Sequence, residues 1–283
     1  MKAGRASFTA MAVAAARGLA RDADPTAPAL LPPSLGFAVA QWQALPAWAR
    51  QLRIGPRVAS GGLVDHLDLR TRAIDRELEA AVEAGARTLV LLGAGFDGRA
   101  YRMDCLRDVD VFEVDHPATS AVKRERAAGL TPRARALFHV DVDFDHMSVA
   151  DALEDHGQDL HAPTVWIWEG VTPYLPRRAT EITLESIARR SAVGSRLLMT
   201  YAVPKLVGRT APMLEAVVRG GFAWLGEPLQ GAMDPNDAAS LVQNQGFTPL
   251  RDTGQSDWAG RRRLAYHLAR PLRAERLLVA ERT

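Results

Sequence analysis

The sequence predicts an α/β fold: a doubly wound, mostly parallel sheet of seven strands that ends in an antiparallel hairpin and follows an N-terminal helical lid. From residue 87 onward, apolar runs of strand length alternate with helical segments, which is typical of a parallel sheet. The first 80 residues instead hold a helical run, Ser7 to Arg21, then a Pro-rich break and two tryptophans, without strand alternation. We therefore divide the chain into a lid, residues 1–82, and a core domain, residues 83–283.

The predicted elements of the core domain follow in order. The five parallel strands are Thr88–Leu92, Val109–Val114, Ala134–Val140, Thr164–Trp168 and Arg196–Ala202. The helical segments between them are Pro117–Ala128, Val149–Asp155 and Arg178–Ser191. An amphipathic helix, Pro235–Gln245, ends at Gly246 and precedes the two strands of the hairpin, Phe247–Arg251 and Arg263–Ala269.

Composition excludes several classes of protein. With 283 residues and 47% hydrophobic content, the chain can bury a full core. The net charge of +2 is spread along the chain without a basic block, which disfavours nucleic-acid binding. No apolar stretch approaches the ~20 residues of a membrane span. The single cysteine, Cys105, excludes an internal disulfide and fits a cytoplasmic location.

The first predicted strand ends in a glycine turn, and the second ends in an acid. Gly93, Gly95 and Gly98 satisfy the pattern GxGxxG, and Asp115 lies 22 positions after Gly93, close to the ~20 expected of a nucleotide fold. Glycines allow the backbone to approach a ligand, and the carboxylate accepts hydrogen bonds from ribose hydroxyls. The pattern therefore predicts a nucleoside site.

Two nucleoside ligands fit this turn. The first is NAD, which would make the chain an NAD-dependent oxidoreductase. Some 85 residues precede the turn, however, and Asp97 would place a negative charge beside the diphosphate. The second is S-adenosylmethionine, whose sulfonium and ammonium suit a nearby acid. We favour this methyl donor and keep the oxidoreductase, and a catalytically idle nucleoside-binding scaffold, as alternatives.

Three acids end consecutive predicted strands: Asp115, Asp141 and Glu169. The carboxyl ends of parallel strands meet at one crevice, so these carboxylates would repel each other unless a ligand supplies positive charge and donors. Each acid could instead cap a helix. The alternating acids from Asp141 to Asp145 could form a weak cation site, but no ligand set has the spacing of a metal centre, and we predict no metal.

Histidines that follow ligand-proximal strands could act as general bases. His116 and His146 are the two that follow such strands. A histidine at this point of a fold nevertheless has a structural role more often than a catalytic one. His139 and His267 fall within predicted strands, where a structural role is expected.

Four segments together resemble the leucine carboxyl methyltransferase superfamily, in particular its bacterial branch of small-molecule, polyketide-type O-methyltransferases. They are Arg70-Thr-Arg-Ala-Ile-Asp75, Leu92-Gly-Ala-Gly-Phe-Asp-Gly-Arg-Ala-Tyr-Arg102, Phe112-Glu-Val-Asp-His-Pro117 with Lys123, and Glu169-Gly-Val-Thr-Pro-Tyr-Leu175. The resemblance implies a Rossmann-like methyltransferase fold that binds S-adenosyl-L-methionine, with a helical lid over the acceptor.

The resemblance also implies donor contacts. Arg72 would pair with the donor carboxylate, and Glu169 would bind the donor ammonium. Gly93 and Gly95 would line the methionine and ribose, and Asp115 would bind the ribose hydroxyls. Asp141 and the Val142 backbone would hold the adenine.

The expected activity is transfer of the sulfonium methyl to an oxygen of a small-molecule carboxylate or hydroxyl, in polyketide-type metabolism. An ionised carboxylate acceptor needs no general base, whereas a phenol or enol does. We expect Tyr174 and Tyr201, near the ends of the fourth and fifth strands, to face the acceptor; both could equally be core tyrosines. The Thr172-Pro173 pair departs from the family's common residues where the acceptor pocket begins, so the acceptor stays open.

Overall fold

A computed structural model describes residues 7–20, 24–52, 55–144, 146–204, 230–261, 264–265, 267 and 274–283. The strands are β1 Thr88–Leu92, β2 Asp110–Asp115, β3 Ala136–Asp141, β4 Thr164–Trp168, β5 Arg196–Ala202, β6 Phe247–Gly254 and β7 Glu275–Arg282. They form one sheet in the order β3-β2-β1-β4-β5-β7-β6. Strands β1 to β5 are parallel, and β7 pairs antiparallel with both β5 and β6. The predicted fold class is confirmed.

The helices before and between the strands agree with the predicted alternation. They are α1 Phe8–Leu19, α2 Ala27–Leu30, α3 Pro33–Gln43, α4 Ala47–Leu52, α5 Gly55–Ala59, α6 Leu63–Glu83, α7 Arg99–Arg102, α8 Pro117–Ala127, α9 Val149–Asp155, α10 Arg177–Arg189, α11 Pro235–Gln243 and α12 Gln255–Ala259. Ser7 caps α1, because its hydroxyl accepts a hydrogen bond from the Ala10 amide at 3.1 Å. None of the described helices is both long and apolar enough to cross a membrane.

The predicted last strand, Arg263–Ala269, is wrong. Leu264, Ala265 and His267 are helical, the other residues of this range lie outside the described part, and the last strand is β7. Strand β7 lies between β5 and β6 and contains the fully buried run Leu277–Ala280. A strand covered on both faces has a continuous apolar run rather than a mixed pattern. The hairpin itself is present, formed by β6 and β7.

The core on one face of the sheet includes residues of the predicted lid. Leu30 of α2, Val39 of α3 and Leu69 of α6 belong to the same buried cluster as Leu89 and Leu91 of β1. The predicted boundary at residue 82 falls in the last turn of α6. The division into two domains therefore stays a prediction, since the hydrophobic core continues across it.

The strand order reverses between β1 and β4, where ligands of open α/β sheets bind. The segments that follow these two strands approach each other there. A Cβ atom placed on Gly93, after β1, would lie 2.5 Å from Cγ2 of Val171, after β4. This edge holds the predicted nucleoside site.

Candidate functional site

The glycine turn after β1 has the backbone that the sequence predicts. Gly93 and Gly95 have φ of 67° and 50°, in the left-handed region that disfavours larger residues. The Gly93 amide donates to the carbonyl of Val114 at 2.9 Å, which ties the turn to the end of β2. A side chain at Gly93 would collide with Val171, so this position requires glycine.

Asp115, the last residue of β2, contacts this turn directly. Its Oδ1 accepts a hydrogen bond from the His116 amide at 2.6 Å, and its Oδ2 accepts one from the Gly95 amide. Burial raises the pKa of the Asp115 carboxyl, and the two amide bonds oppose that rise. The acid and the glycine turn thus share one edge of the sheet, as predicted; the ribose contact stays a prediction.

The residues predicted to hold the adenine lie one strand further out. Asp141, at the end of β3, accepts hydrogen bonds from the guanidinium of Arg124 at 2.9 and 3.2 Å. The amide of Val142 donates to the carbonyl of Asp115 at 2.9 Å. Both residues are therefore neighbours of Asp115, and their role toward adenine stays a prediction.

Glu169 follows β4 and lies in the densest cluster of charge at this edge. Its buried carboxylate accepts hydrogen bonds from Arg17 at 2.6 Å, Arg70 at 2.9 Å and Arg99 at 2.8 Å. Burial alone would raise the pKa of the Glu169 carboxyl, but the guanidinium groups of Arg17, Arg99 and Arg70 hold this pKa well below its usual range. Glu169 is therefore an anion at neutral pH.

Two of these arginines, Arg99 and Arg70, also donate hydrogen bonds to further acids. Arg99 donates to Asp75 at 2.7 Å and to Asp97 at 2.5 Å. Arg70 donates to both oxygens of Glu275 at 2.9 Å. Burial opposes ionisation of both of these acids, but Arg99 and Arg17 lower the pKa of Asp97 to about 2, and Arg70 and His66 lower that of Glu275 to about 2.

A hydrogen-bonded chain extends from Glu275 toward α12. His66 Nε2 lies 2.5 Å from Glu275 Oε2, and Gln255 Nε2 lies 2.7 Å from His66 Nδ1. His66 and Gln255 are both buried. Glu275 is therefore fixed on two sides, by Arg70 and by His66, and it orients Arg70 toward Glu169.

Arg72, the predicted partner of the donor carboxylate, stands on α6 two residues after Arg70. Residues two positions apart on a helix point about 200° away from each other, and it is Arg70 that donates to Glu169. Arg72 lines a cavity of about 350 Å³ beside the charged cluster, together with Arg17, Asp75 and Arg102. The role of Arg72 toward the donor carboxylate stays a prediction.

The two tyrosines expected at the acceptor differ in environment. Tyr201 is fully buried, and its hydroxyl donates to Asp252 of β6 at 2.6 Å, so in this structure it belongs to the core rather than to the crevice. Tyr174 is partly exposed in a short 3₁₀ helix, Thr172–Tyr174, close after Glu169. Of the two, only Tyr174 keeps an acceptor-facing role as a prediction.

His116 caps helix α8. Its Nδ1 accepts a hydrogen bond from the Ala118 amide at 3.2 Å. This contact uses the ring nitrogen that a general base would need, so the structure supports the structural alternative for His116.

Five residues of the cluster were missed from the sequence: Arg17, Arg70, Asp75, Arg99 and Glu275. Arg70, Asp75 and Arg99 stand inside the motifs that carry the family resemblance, so the sequence did contain a signal for them. Arg17 and Glu275 lie 152 and 106 positions from Glu169, in segments without a motif. Only the three-dimensional fold brings them to this edge.

The sequence pattern of the leucine carboxyl methyltransferase family matches residues 4–188. A relative from Mycolicibacterium paratuberculosis is 32% identical over 266 residues, which is 89% of this chain and 80% of the relative. A relative from Mycobacterium marinum is 39% identical over 160 residues, 56% of this chain, and the match spans about half, 51%, of that relative. Both are provisionally named S-adenosyl-L-methionine-dependent methyltransferases.

Solved structures share the fold over nearly the whole chain. A DUF574 family protein from Streptomyces avermitilis superposes with a TM-score of 0.66 at 16% identity, covering 98% of both chains. A protein from Thermobifida fusca, provisionally described as a methyltransferase, gives a TM-score of 0.61 at 16% identity and covers 100% of this chain and 97% of its own. At this identity the likeness concerns the fold alone.

The fold, with a charged crevice at the carboxyl ends of its parallel strands, defines a protein of the open α/β class. Within this class, the chain belongs to the leucine carboxyl methyltransferase family, since the family pattern covers more than half of it. The predicted family and cofactor are confirmed. Neither the family nor these relatives support the NAD-dependent oxidoreductase alternative.

Proposed function

We propose that this chain is an S-adenosylmethionine-dependent O-methyltransferase that acts on a small-molecule carboxylate or hydroxyl. The observation that supports it is the pair of strand-end carboxylates, Asp115 and Glu169, on either side of the glycine turn. When bound, the donor supplies a methyl group on a cationic sulfur, and its ribose hydroxyls and ammonium match these two acids. Family membership and the shared fold point the same way.

The crevice residues fit this donor in charge as well as in placement. Arg17, Arg70 and Arg99 face Asp75, Asp97, Glu169 and Glu275 in one buried network. With every group ionised, these seven side chains carry one net negative charge, and the adjoining pair of Arg102 and Asp24 leaves this value unchanged. A net negative charge favours a cationic ligand. Arg70, oriented by Glu275, is the group we expect to bind the donor carboxylate.

A carboxylate is the acceptor that the site supports better than a phenol. Transfer forms a carbon–oxygen bond while the carbon–sulfur bond breaks, and an acceptor already ionised near pH 7 needs no proton removed. His116, one of the two base candidates, caps helix α8 instead. The protein's main tasks are then alignment of the reactants and exclusion of water. A natural-product, polyketide-type acceptor and a cytoplasmic location remain part of this proposal.

Binding and product chemistry test the proposal separately. Calorimetry should show saturable binding of S-adenosylhomocysteine and none of NAD; tighter binding of NAD would refute the donor assignment. Incubation with labelled donor and a panel of aromatic acids and phenols should then yield a labelled product. A methyl ester releases its label as methanol in mild base, whereas a methyl ether keeps it, so this step distinguishes a carboxylate acceptor from a phenol.

A further inference from the structure

Glu169 already has three cationic partners at the position that the proposed function assigns to the donor ammonium. Three guanidinium groups donate to it within 2.9 Å, and its side chain is only 7% exposed. They take three of the about four acceptor positions of the carboxylate, and a fourth cation would be repelled by the three already present. If the donor ammonium binds Glu169, as the proposed function requires, this repulsion favours the departure of one guanidinium.

Two of the three arginines are held in place by other acids. Arg99 donates to both Asp75 and Asp97 and has a side chain that is 1% exposed. Arg70 donates twice to Glu275 and stands on the long helix α6, whose apolar residues are part of the core. Displacing Arg99 would take a guanidinium from two acids, and displacing Arg70 would leave Glu275 with His66 alone. Removing a charged partner from a buried acid is costly.

Arg17 is held less firmly. Among the described residues, the other hydrogen bonds of its side chain are with Asp97 and with the Thr71 hydroxyl, each at 3.2 Å. Asp97 keeps Arg99 as a partner if Arg17 leaves. Arg17 also stands on α1, which precedes the alternating strands and helices. It is therefore the arginine that can leave at the lowest cost.

Helix α1 lies across the crevice and closes it. A Cβ atom placed on Gly95 would be 3.0 Å from Cβ of Ala10, so α1 contacts the glycine turn with no space between them. The amide of Ser7, just before α1, donates to the Thr119 hydroxyl at the start of α8 at 3.4 Å. The helix thus reaches from the segment after β2 to Glu169 after β4, along the path that a nucleoside donor would occupy.

We propose that Arg17 occupies the ammonium position on Glu169 when the donor is absent and is displaced by the donor. Without Arg17, the other six side chains of the network carry two net negative charges, and the two cationic centres of the donor restore balance. Displacement of Arg17 removes the strongest polar contact of α1 with the crevice. Donor binding would therefore be coupled to the movement of α1.

Removal of the competing guanidinium tests this inference, which rests on the proposed donor site. In Arg17→Gln, the Kd for S-adenosylhomocysteine should fall at least twofold, measured by calorimetry on the full chain. Arg190→Gln is the matched control, because Arg190 is also a buried arginine, with a 5% exposed side chain. Arg190 donates to Gln158, which contacts Thr164, the first residue of β4, at the opposite edge of the sheet from the crevice. It should leave the Kd unchanged. An unchanged or higher Kd in Arg17→Gln overturns the inference.

Hydrogen exchange of the unmodified protein provides a second test that does not depend on a variant folding. Amides of Phe8–Leu19 should exchange faster when S-adenosylhomocysteine saturates the site, because α1 has lost its contact with Glu169. Unchanged or slower exchange would show that α1 stays closed and would overturn the displacement. If the unmodified protein binds no S-adenosylhomocysteine, the proposed function itself fails, so the two failures are distinguishable.

Discussion

Arg70 and Arg72 are separated by one residue, yet they lie in different places. Arg70 is buried between Glu169 and Glu275, whereas Arg72 lines the cavity beside the charged cluster. A motif read from sequence gives the residue types but not the direction in which each side chain points. Helix periodicity decides that direction, and it can be applied only when the buried face of the helix is known.

Exchange of either arginine for glutamine should separate their roles. Arg70→Gln should weaken binding of S-adenosylhomocysteine by at least tenfold, since a hydrogen bond to a charged group contributes about 1.5–3 kcal/mol. Arg72→Gln should change the affinity less than threefold. Calorimetry gives both values, and circular dichroism shows whether each variant is folded. A larger loss in Arg72→Gln would restore the contact predicted from the motif.

The parts of the site that the sequence predicts are those attached to strand ends. Gly93, Asp115 and Glu169 follow apolar runs, and parallel strands place their carboxyl ends at one edge. Tyr201 shows the limit of this reasoning. It also lies near the end of a strand, but its hydroxyl bonds to Asp252 of a distant strand, which no local pattern shows.

The N-terminal helices are packed as closely as the core, although their sequence departs from the alternating pattern. Gly18 of α1 lies where a Cβ atom would be 2.5 Å from Cγ1 of Val39 in α3 and 2.9 Å from Cβ of Ala27 in α2. Its φ is not in the left-handed region, so the constraint is one of space. Close contact here docks α1 on α2 and α3 in this structure.

A methyl group at Gly18 should therefore destabilise the protein. Gly18→Ala forces α1 away from Val39, and such overpacking costs roughly 1–3 kcal/mol. Gly129→Ala is the control, because nothing lies within 4 Å of its added Cβ. Thermal unfolding should show a lower Tm for Gly18→Ala and an unchanged or slightly higher Tm for Gly129→Ala. Equal Tm values would mean that α1 is not docked on α2 and α3.

Strand β7 shows why the last element could not be predicted from its own segment. It is inserted between β5 and β6, so its neighbours come from segments about 70 and 20 residues earlier. Its apolar run, Leu277–Ala280, is short and ambiguous between a strand and a helix. Its place in the sheet, rather than its composition, makes it a buried strand.

Across the whole molecule, the charged network joins segments that are far apart in the chain. Arg17 in α1, Arg70 in α6, Glu169 after β4 and Glu275 in β7 are connected by direct hydrogen bonds. The same segments share the hydrophobic core beneath. We therefore expect residues 63–83 to unfold with the sheet rather than as part of a separate lid.

The ionisation of this network should make the stability of the whole molecule sensitive to acid. Burial opposes ionisation of Glu275, but Arg70 and His66 lower its pKa from 4.5 to about 2. A group whose pKa is depressed on folding stabilises the native state above its unfolded pKa, and this contribution is lost as the pH falls toward the folded value. The free energy of unfolding should therefore stay constant between pH 7 and about 5, then decrease between pH 4.5 and 2.

The substitution Glu275→Gln measures how much of this acid-dependent loss of stability comes from one carboxylate. The variant should be less stable than the unmodified protein at pH 7, because Arg70 loses one of its two charged partners. The difference in stability should narrow between pH 4.5 and 2, as Glu275 of the unmodified protein becomes protonated. A depression of the pKa from 4.5 to about 2 corresponds to roughly 3 kcal/mol. Urea unfolding at several pH values measures both curves. If the difference in the free energy of unfolding stayed constant down to pH 2, the charge of Glu275 would not contribute to stability. Packing alone would then hold Arg70 toward Glu169.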